Sequence, residues 1–191
     1  MRAEAETPKK TTSATFRIDE CAYEIMQRDA RMMKVSVNTL VNQLLDLYVN
    51  SDRFMNEAGL VRITKPNFKQ FLELAPKDEL AHMGESAGKN LGKTAILAKR
   101  GTMSLATVLE YIQGFAHYGG YAKYNETESN GKRVIVLVHD FGRAGSVYIG
   151  AYVKPLFEYV SSRPTIALSE DSVVIELESR STPISSVSGQ A

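Results

Sequence analysis

Three side chains that can hydrogen-bond to a ligand alternate along the start of the chain: Ser13, Thr15 and Arg17. We predict a strand over residues 12–18. Because side chains alternate along a strand, these three lie on one face, and the apolar ones between them lie on the other (Ala14, Phe16 and Ile18). A lone strand is not stable, and nothing nearby in this chain can pair with it. The same strand of a second chain would complete a two-stranded antiparallel ribbon in a twofold dimer. Such a ribbon presents the three polar side chains to solvent, and it fits the major groove of DNA.

Two helices are predicted to hold this ribbon. Asp19 can cap a first helix that ends near Lys34, and its apolar residues recur at helical spacing (Ala22, Ile25, Met26, Ala30 and Met33). Ser36 can cap a second helix over residues 37–49. The apolar stripe of that helix follows steps of three and four (Val37, Leu40, Val41, Leu44, Leu45 and Tyr48).

With its strand and two helices, the stretch 11–49 resembles the ribbon-helix-helix family of DNA-binding proteins. The resemblance implies an intertwined β-α-α dimer in which Ser13, Thr15 and Arg17 contact base edges. Arg17 would donate two hydrogen bonds to guanine. It also implies that the start of the second helix meets the DNA backbone, with phosphate contacts from one short segment (Lys34, Ser36, Val37 and Asn38). The family usually has glycine or asparagine in a left-handed conformation at the turn, where this chain has Lys34, which adopts that conformation at an energetic cost.

Charge sets the expected strength of DNA binding. Residues 1–50 hold seven basic and seven acidic side chains, so their net charge is zero. We therefore expect modest affinity per dimer for double-stranded DNA, with pairs of dimers on repeated sites as compensation. A homodimer is the smallest expected assembly, and a higher oligomer is open.

The bulk composition is typical of a soluble globular protein, since 43% of the 191 residues are hydrophobic and 24% are charged. The start of the sequence is polar, with no signal-peptide pattern, and no apolar run is long enough to span a membrane. Cys21 is the only cysteine, so no intrachain disulfide is possible. These features predict a cytoplasmic protein, and the resemblance to the ribbon-helix-helix family implies a prokaryotic one.

The layout predicted for the whole chain is α+β. We expect a disordered arm over 1–10, the DNA-binding domain over 11–50, a linker over 51–59 and a disordered tail over 180–191. Residues 60–179 are predicted to form an α+β domain with a mainly antiparallel sheet. Its strands are expected at 60–64, at 119–128, at 133–140 after an Asn130-Gly131 hairpin turn, and on both sides of a turn at 169–171. A first helix is expected to begin at Pro66 and a second to span 77–99. A third is expected over 104–116, capped by Ser104, and a fourth over 141–160, with a kink or break at Pro155.

Residues 87–94, AGKNLGKT, satisfy the loose pattern of a phosphate-binding loop, and Asp140 could hold magnesium as in such NTPases. We disfavour this interpretation because no buried strand precedes the motif and its first position is Ala87 rather than glycine. Gly84, Gly88 and Gly92 instead recur every four residues on one face of the helix predicted there. Each costs about 1 kcal/mol of helix propensity relative to alanine, so we expect close packing of another element against that face.

No metal, cofactor or catalytic function is predicted. A nickel-responsive regulator joins this type of DNA-binding domain to a small α+β domain, but the three histidines are far apart here (His82, His117 and His139). No serine, histidine and acid set or paired carboxylates stands out, so we do not expect an enzyme. His139 is expected to satisfy the turn from a strand to a helix; the less favoured alternative is a histidine that lines a site at the end of a central strand and titrates near neutral pH.

The favoured function is a dimeric transcription regulator, with repression and activation both open. Its C-terminal domain would join dimers, bind a small-molecule effector, or do both. Seven aromatic residues could form an effector pocket, although most are expected in the core (Tyr111, Phe115, Tyr118, Tyr121, Tyr124, Tyr148 and Tyr152). The alternative is an antitoxin or partition factor that represses its own gene. Residues 60–179 are expected to be folded, which argues against a toxin-binding tail, and a phosphate-loop NTPase ranks third.

Overall fold

The computed structural model describes residues 10–53, 62–129 and 131–178. The chain divides into two compact units, Met1–Asp46 and Leu47–Ala191. The architecture is α+β, as predicted, because helices dominate the described part of the first unit and the second unit combines helices with an antiparallel sheet. The predicted arm and tail lie outside the described residues, apart from Lys10.

The described part of the first unit holds a helical hairpin. Helix α1 spans Glu20–Met32 and helix α2 spans Val37–Leu47. As predicted, the carboxylate of Asp19 caps α1, because its Oδ1 accepts a hydrogen bond from the amide of Ala22 at 3.2 Å. A π-helical turn, Tyr48–Asp52, continues α2 into the predicted linker.

The turn between α1 and α2 is a Schellman motif, the common way to end a helix with a left-handed residue. The amide of Val35 donates to the carbonyl of Ala30 at 2.9 Å, and the amide of Lys34 donates to the carbonyl of Arg31 at 3.1 Å. Lys34 occupies the left-handed position with φ of +56°. The conformation expected at this turn is therefore present, although the residue is lysine.

The strand predicted over residues 12–18 is absent, so the prediction of a β-α-α unit within the single chain is wrong. Residues 10–19 are exposed and belong to no strand or helix. The physical reason is that a strand exists only as part of a hydrogen-bonded ladder, and these residues have no second strand to pair with.

The second unit contains five α-helices within its described residues. They are α3, Lys65–Leu74; α4, Lys77–Ala87; α5, Lys93–Arg100; α6, Leu105–Gly119; and α7, Gly142–Glu158. Pro66 lies in the first turn of α3, as predicted. Ser104 caps α6 in a reciprocal capping box with Thr107, which confirms the predicted start of that helix.

The long helix predicted over 77–99 is confirmed, because a π-helical turn, Gly88–Gly92, joins α4 to α5 without a break. The close packing predicted at its glycines is also confirmed. A Cβ on Gly84 or Gly88 would collide with the carbonyl oxygens of Tyr148 and Tyr152, which belong to α7. A Cβ on Gly92 would lie 2.8 Å from a methyl carbon of Leu156. Glycine at this spacing lets α7 approach to backbone contact.

Four antiparallel strands form one sheet in the order β1-β2-β4-β3. Their bounds are β1, Lys123–Ser129; β2, Lys132–Val138; β3, Thr165–Leu168; and β4, Ser172–Glu178. The strand predicted at 133–140 is interior, as expected, and pairs Ile135 with Ile175 and Leu137 with Val173. These four side chains are fully buried and form one core with α7.

Three local predictions need correction or restriction. Residues 62–64 form no strand, so that part of the 60–64 prediction is wrong, and the rest of it lies outside the described residues, as does Asn130. Ser51–Arg53 are helical rather than linker, because α2 continues through the π turn. Pro155 does not break α7: the helix runs on to Glu158, although the proline has no backbone N–H to donate to the carbonyl of Ala151.

Within the described residues, no helix is both long and apolar enough to cross a membrane.

Candidate functional sites

The three predicted base-contacting residues lie together in the segment before α1. Ser13, Thr15 and Arg17 are all exposed, and so are the apolar Phe16 and Ile18, whose exposed fractions are 67% and 46%. Both sets of side chains are therefore accessible, and the chain alone does not sort them onto two faces. A paired strand would be needed to place the polar set on one surface.

The four predicted phosphate-contacting residues converge on the start of α2. The Ser36 side chain accepts a hydrogen bond from the amide of Thr39 at 3.0 Å, and the Ser36 carbonyl accepts one from Leu40 at 3.0 Å. Ser36 therefore caps α2, as predicted. The next amides, of Val37 and Asn38, begin the helix, where no intrahelical acceptor exists, and the exposed Lys34 lies two residues before the cap. Backbone N–H groups, the positive helix end and a lysine thus occupy one short segment.

The hairpin leaves much of its apolar surface in solvent. Ala30 is the only buried residue in the part of the first unit that the structure describes. Met32 is 69% exposed and Leu44 is 50% exposed, and further large apolar side chains behave alike (Tyr23, Ile25, Met33 and Leu45). The core faces predicted for both helices are therefore only partly covered. An apolar surface of this kind is typical of an interface.

The second unit has a cleft of about 950 Å³ beside the end of β2. Its walls come from separate elements: the start of α3, the end of α5, one face of α6, the start of β1 and the turn after β2. Charged side chains from all of them line it (Lys65, Lys99, Glu110, Lys123 and Asp140), and His117 of α6 joins them.

Both acidic side chains of the cleft already have a basic partner. The Glu110 carboxylate pairs with the guanidinium of Arg100, and the Asp140 carboxylate lies 3.5 Å from the ammonium of Lys65. In contrast, among the described residues no carboxylate lies within 4.0 Å of the Lys123 ammonium. The cleft therefore presents more positive than negative charge.

His139 forms one end of the cleft wall but is itself buried. Its Nδ1 accepts a hydrogen bond from the amide of Phe141 at 3.3 Å, so its Nε2 carries the proton and donates to Ser146 Oγ at 3.0 Å. The Ser146 hydroxyl in turn donates a hydrogen bond to the carbonyl of Glu170 at 3.2 Å. Burial lowers the pKa of His139, against the opposing effect of Asp171 and Asp140. His139 thus satisfies the strand-to-helix turn, as predicted.

The start of α7, next to this histidine, is occupied by carboxylates of the turn between β3 and β4. The amide of Gly142 donates to Asp171 Oδ1 at 2.8 Å, and the amide of Arg143 donates to Glu170 Oε1 at 3.3 Å. An external anion would have to displace these groups, so the cleft lysines, rather than this helix end, are the accessible positive charges.

The predicted aromatic pocket is mostly a packed layer. Phe115 stacks between Tyr121 and Tyr152, with ring centroids 4.6 Å and 4.9 Å away. The hydroxyls of Tyr111 and Tyr152 are 2.5 Å apart, and burial raises the pKa of both phenols. Two of the seven predicted aromatic residues, Tyr118 and Tyr124, line the cleft instead.

The residues of the phosphate-loop pattern are helical. Ala87 ends α4, Gly88–Gly92 form the π turn, and Lys93 and Thr94 begin α5. The ammonium of Lys93 lies 4.5 Å from the ring centroid of Tyr159. A phosphate loop must wrap its backbone amides around an anion, and a continuous helix cannot do so.

Among the described residues, no three histidine, cysteine, aspartate or glutamate side chains are grouped closely enough to hold a metal ion. The lysines of the cleft were missed by sequence reasoning. They lie in three different elements, and no spacing in the sequence signals their convergence.

No protein-family model and no curated protein matches this chain.

Proposed function

We propose that this protein is a cytoplasmic, dimeric, sequence-specific DNA-binding transcription regulator of the ribbon-helix-helix type. The observation that carries the proposal is the state of the N-terminal hairpin. Its caps and left-handed turn are formed, yet many of its large apolar side chains and the segment at 10–19 are exposed. The C-terminal α+β unit would join dimers or bind an effector.

A second copy of the hairpin is the partner that best fits this surface. Pairing residues 12–18 of two chains would satisfy their backbone groups and place Phe16 and Ile18 beneath the ribbon. The exposed apolar residues of α1 and α2 would then pack against their equivalents. Burial of apolar surface contributes about 25 cal/mol per Å², so uncovered side chains on this scale provide a strong driving force for dimerisation.

The polar side of the paired ribbon would face DNA. Arg17 can form a bidentate pair with guanine, while Ser13 and Thr15 reach neighbouring base edges. At the start of α2, Lys34 and the amides of Val37 and Asn38 would hold phosphates and fix the position of the ribbon in the groove.

Dimerisation can be tested without DNA by sedimentation of the full chain. Ile25 is half exposed on α1, and Ile25→Glu should yield a folded monomer because a charge cannot be buried unpaired in the interface. Gln43→Glu adds the same charge at an exposed polar position of α2 and should stay dimeric. A wild-type protein that remains monomeric at micromolar concentration would contradict the ribbon.

DNA binding is tested by selecting bound sequences from random duplexes with the wild type and three variants. The wild type should enrich a motif with twofold or tandem repeats. Arg17→Ala should cost about 1–3 kcal/mol on that motif and relax its sequence preference. Lys34→Ala should weaken binding to all sequences about equally and reduce the salt dependence.

Arg28→Ala is the matched control, since Arg28 is an exposed arginine of α1 outside the proposed interface. It should select the wild-type motif. Equal binding of the specific motif by Arg17→Ala and the wild type would show that residues 12–18 do not read DNA.

A further inference from the structure

The cleft of the second unit has the charge of an anion-binding site. Lys65, Lys99 and Lys123 come from α3, α5 and β1, so the tertiary fold, rather than a local run of basic residues, collects them. Because Glu110 is paired with Arg100, which is not a lining residue, the lining lysines outweigh the acidic charge that remains. Lysine is a compact point charge that commonly binds phosphate and carboxylate groups.

The Lys65–Asp140 pair is suited to opening for a ligand. Its ammonium and carboxylate are 3.5 Å apart, and both side chains are more than half exposed. Exposed ion pairs of this kind contribute little to stability, so an incoming anion can take over the Lys65 ammonium at small cost.

The size and lining of the cleft indicate an organic ligand rather than a single inorganic ion. About 950 Å³ lies at the upper end of the range for small-molecule sites. The rings of Tyr118 and Tyr124 supply apolar surface next to the charges. Gly114 of α6 also lines the cleft and leaves unfilled space beside it. A Cβ at this position would contact only a ring carbon of Tyr118, at 3.8 Å.

We propose that this cleft binds a small organic polyanion, whose phosphate or carboxylate groups are held by Lys65, Lys99 and Lys123. This inference deepens the effector-binding part of the proposed function, and its test uses no DNA and no residue of the hairpin. Failure of DNA binding and failure of anion binding are therefore separate results.

The experiment is calorimetric titration of the full chain with two probes, inorganic pyrophosphate and citrate. At least one should bind with one site per chain and with an affinity that falls as salt rises. Pyrophosphate binding alone assigns a phosphate ligand, and citrate binding alone assigns a carboxylate ligand. Lack of binding by both probes at low salt would overturn the proposal.

Two variants locate the site. Lys123→Gln should weaken binding about tenfold, because a charge-assisted hydrogen bond is lost. Lys132→Gln is the matched control, since this exposed lysine lies on β2 outside the cleft and should leave affinity unchanged. Gly114→Leu should block binding by filling the cleft while the fold is kept, as judged by its circular dichroism. Binding that survives both Lys123→Gln and Gly114→Leu would place the anion elsewhere and overturn the proposal.

Discussion

The ammonium of Lys99 donates a hydrogen bond to the backbone carbonyl of Asn50 at 3.0 Å. Asn50 lies in the π turn that continues α2. Lys99 also lines the cleft. One side chain therefore contacts both the cleft and the π turn Tyr48–Asp52, and an anion that attracts Lys99 competes with the Asn50 carbonyl.

Replacing Lys99 tests this connection. Lys99→Met keeps most of the aliphatic stem and removes the charge, and it should lower the free energy of unfolding by about 1.5–3 kcal/mol, the range for a hydrogen bond that involves a charged group. Amide exchange at the π turn should accelerate. Lys132→Met, at an exposed position, should change neither measurement. Unchanged exchange in Lys99→Met would show that the bond does not hold the turn.

Sequence reasoning predicted well where the cause of a structure is local. Asp19, Ser36 and Ser104 cap their helices because a short polar side chain needs only the next three amides. The glycine spacing of α4 predicted a close neighbour, but the identity of that neighbour, α7, depended on the tertiary fold. The strand over 12–18 was wrong for the single chain because its formation depends on a second strand.

The cleft shows the complementary limit. Lys65, Lys99 and Lys123 are separated by long stretches of chain, and each is unremarkable in its own helix or strand. They lie in one cleft only because the tertiary fold brings α3, α5 and β1 next to each other. The π turns at 48–52 and 88–92 were also not predicted.

Lys34 should show separate conformational and electrostatic effects. A left-handed conformation costs a non-glycine residue about 1–2 kcal/mol. Glycine avoids this cost, but its larger conformational entropy in the unfolded chain cancels part of the resulting gain in stability. Lys34→Gly should therefore raise the free energy of unfolding by about 0.5–1 kcal/mol, whereas Lys34→Ala should leave it nearly unchanged. Denaturation at one fixed protein concentration measures both, since a dimer's stability depends on concentration.

The two Lys34 variants should lose DNA affinity equally, because both lack the ammonium. A larger loss for Lys34→Gly than for Lys34→Ala would mean that the turn geometry, rather than the charge, governs the phosphate contact.

The packing of α4 against α7 should tolerate no side chain at Gly88. Its Cβ would overlap the carbonyl oxygen of Tyr152, which is backbone and cannot rotate away. Gly88→Ala should lower the free energy of unfolding by about 1–3 kcal/mol, despite the better helix propensity of alanine. Gly114→Ala is the matched control on α6. It has room for the methyl group and should gain up to about 1 kcal/mol by urea denaturation. A stabilised Gly88→Ala would contradict the backbone contact.

Burial of His139 should make stability depend on pH. Since burial lowers its pKa in the folded protein, the unfolded chain takes up a proton at a higher pH than the folded one. The full stability should therefore be present above the ordinary histidine pKa of 6.5 and decline as the pH falls from there towards the lowered folded pKa.

The variant His139→Gln tests this dependence, because glutamine can keep both hydrogen bonds and does not titrate. Its stability should fall less than that of the wild type between about pH 7 and pH 5, a range that brackets the reference histidine pKa. Denaturation curves across this range measure both proteins. Equal slopes for the wild type and His139→Gln would show that His139 takes up its proton in the folded state as readily as in the unfolded chain.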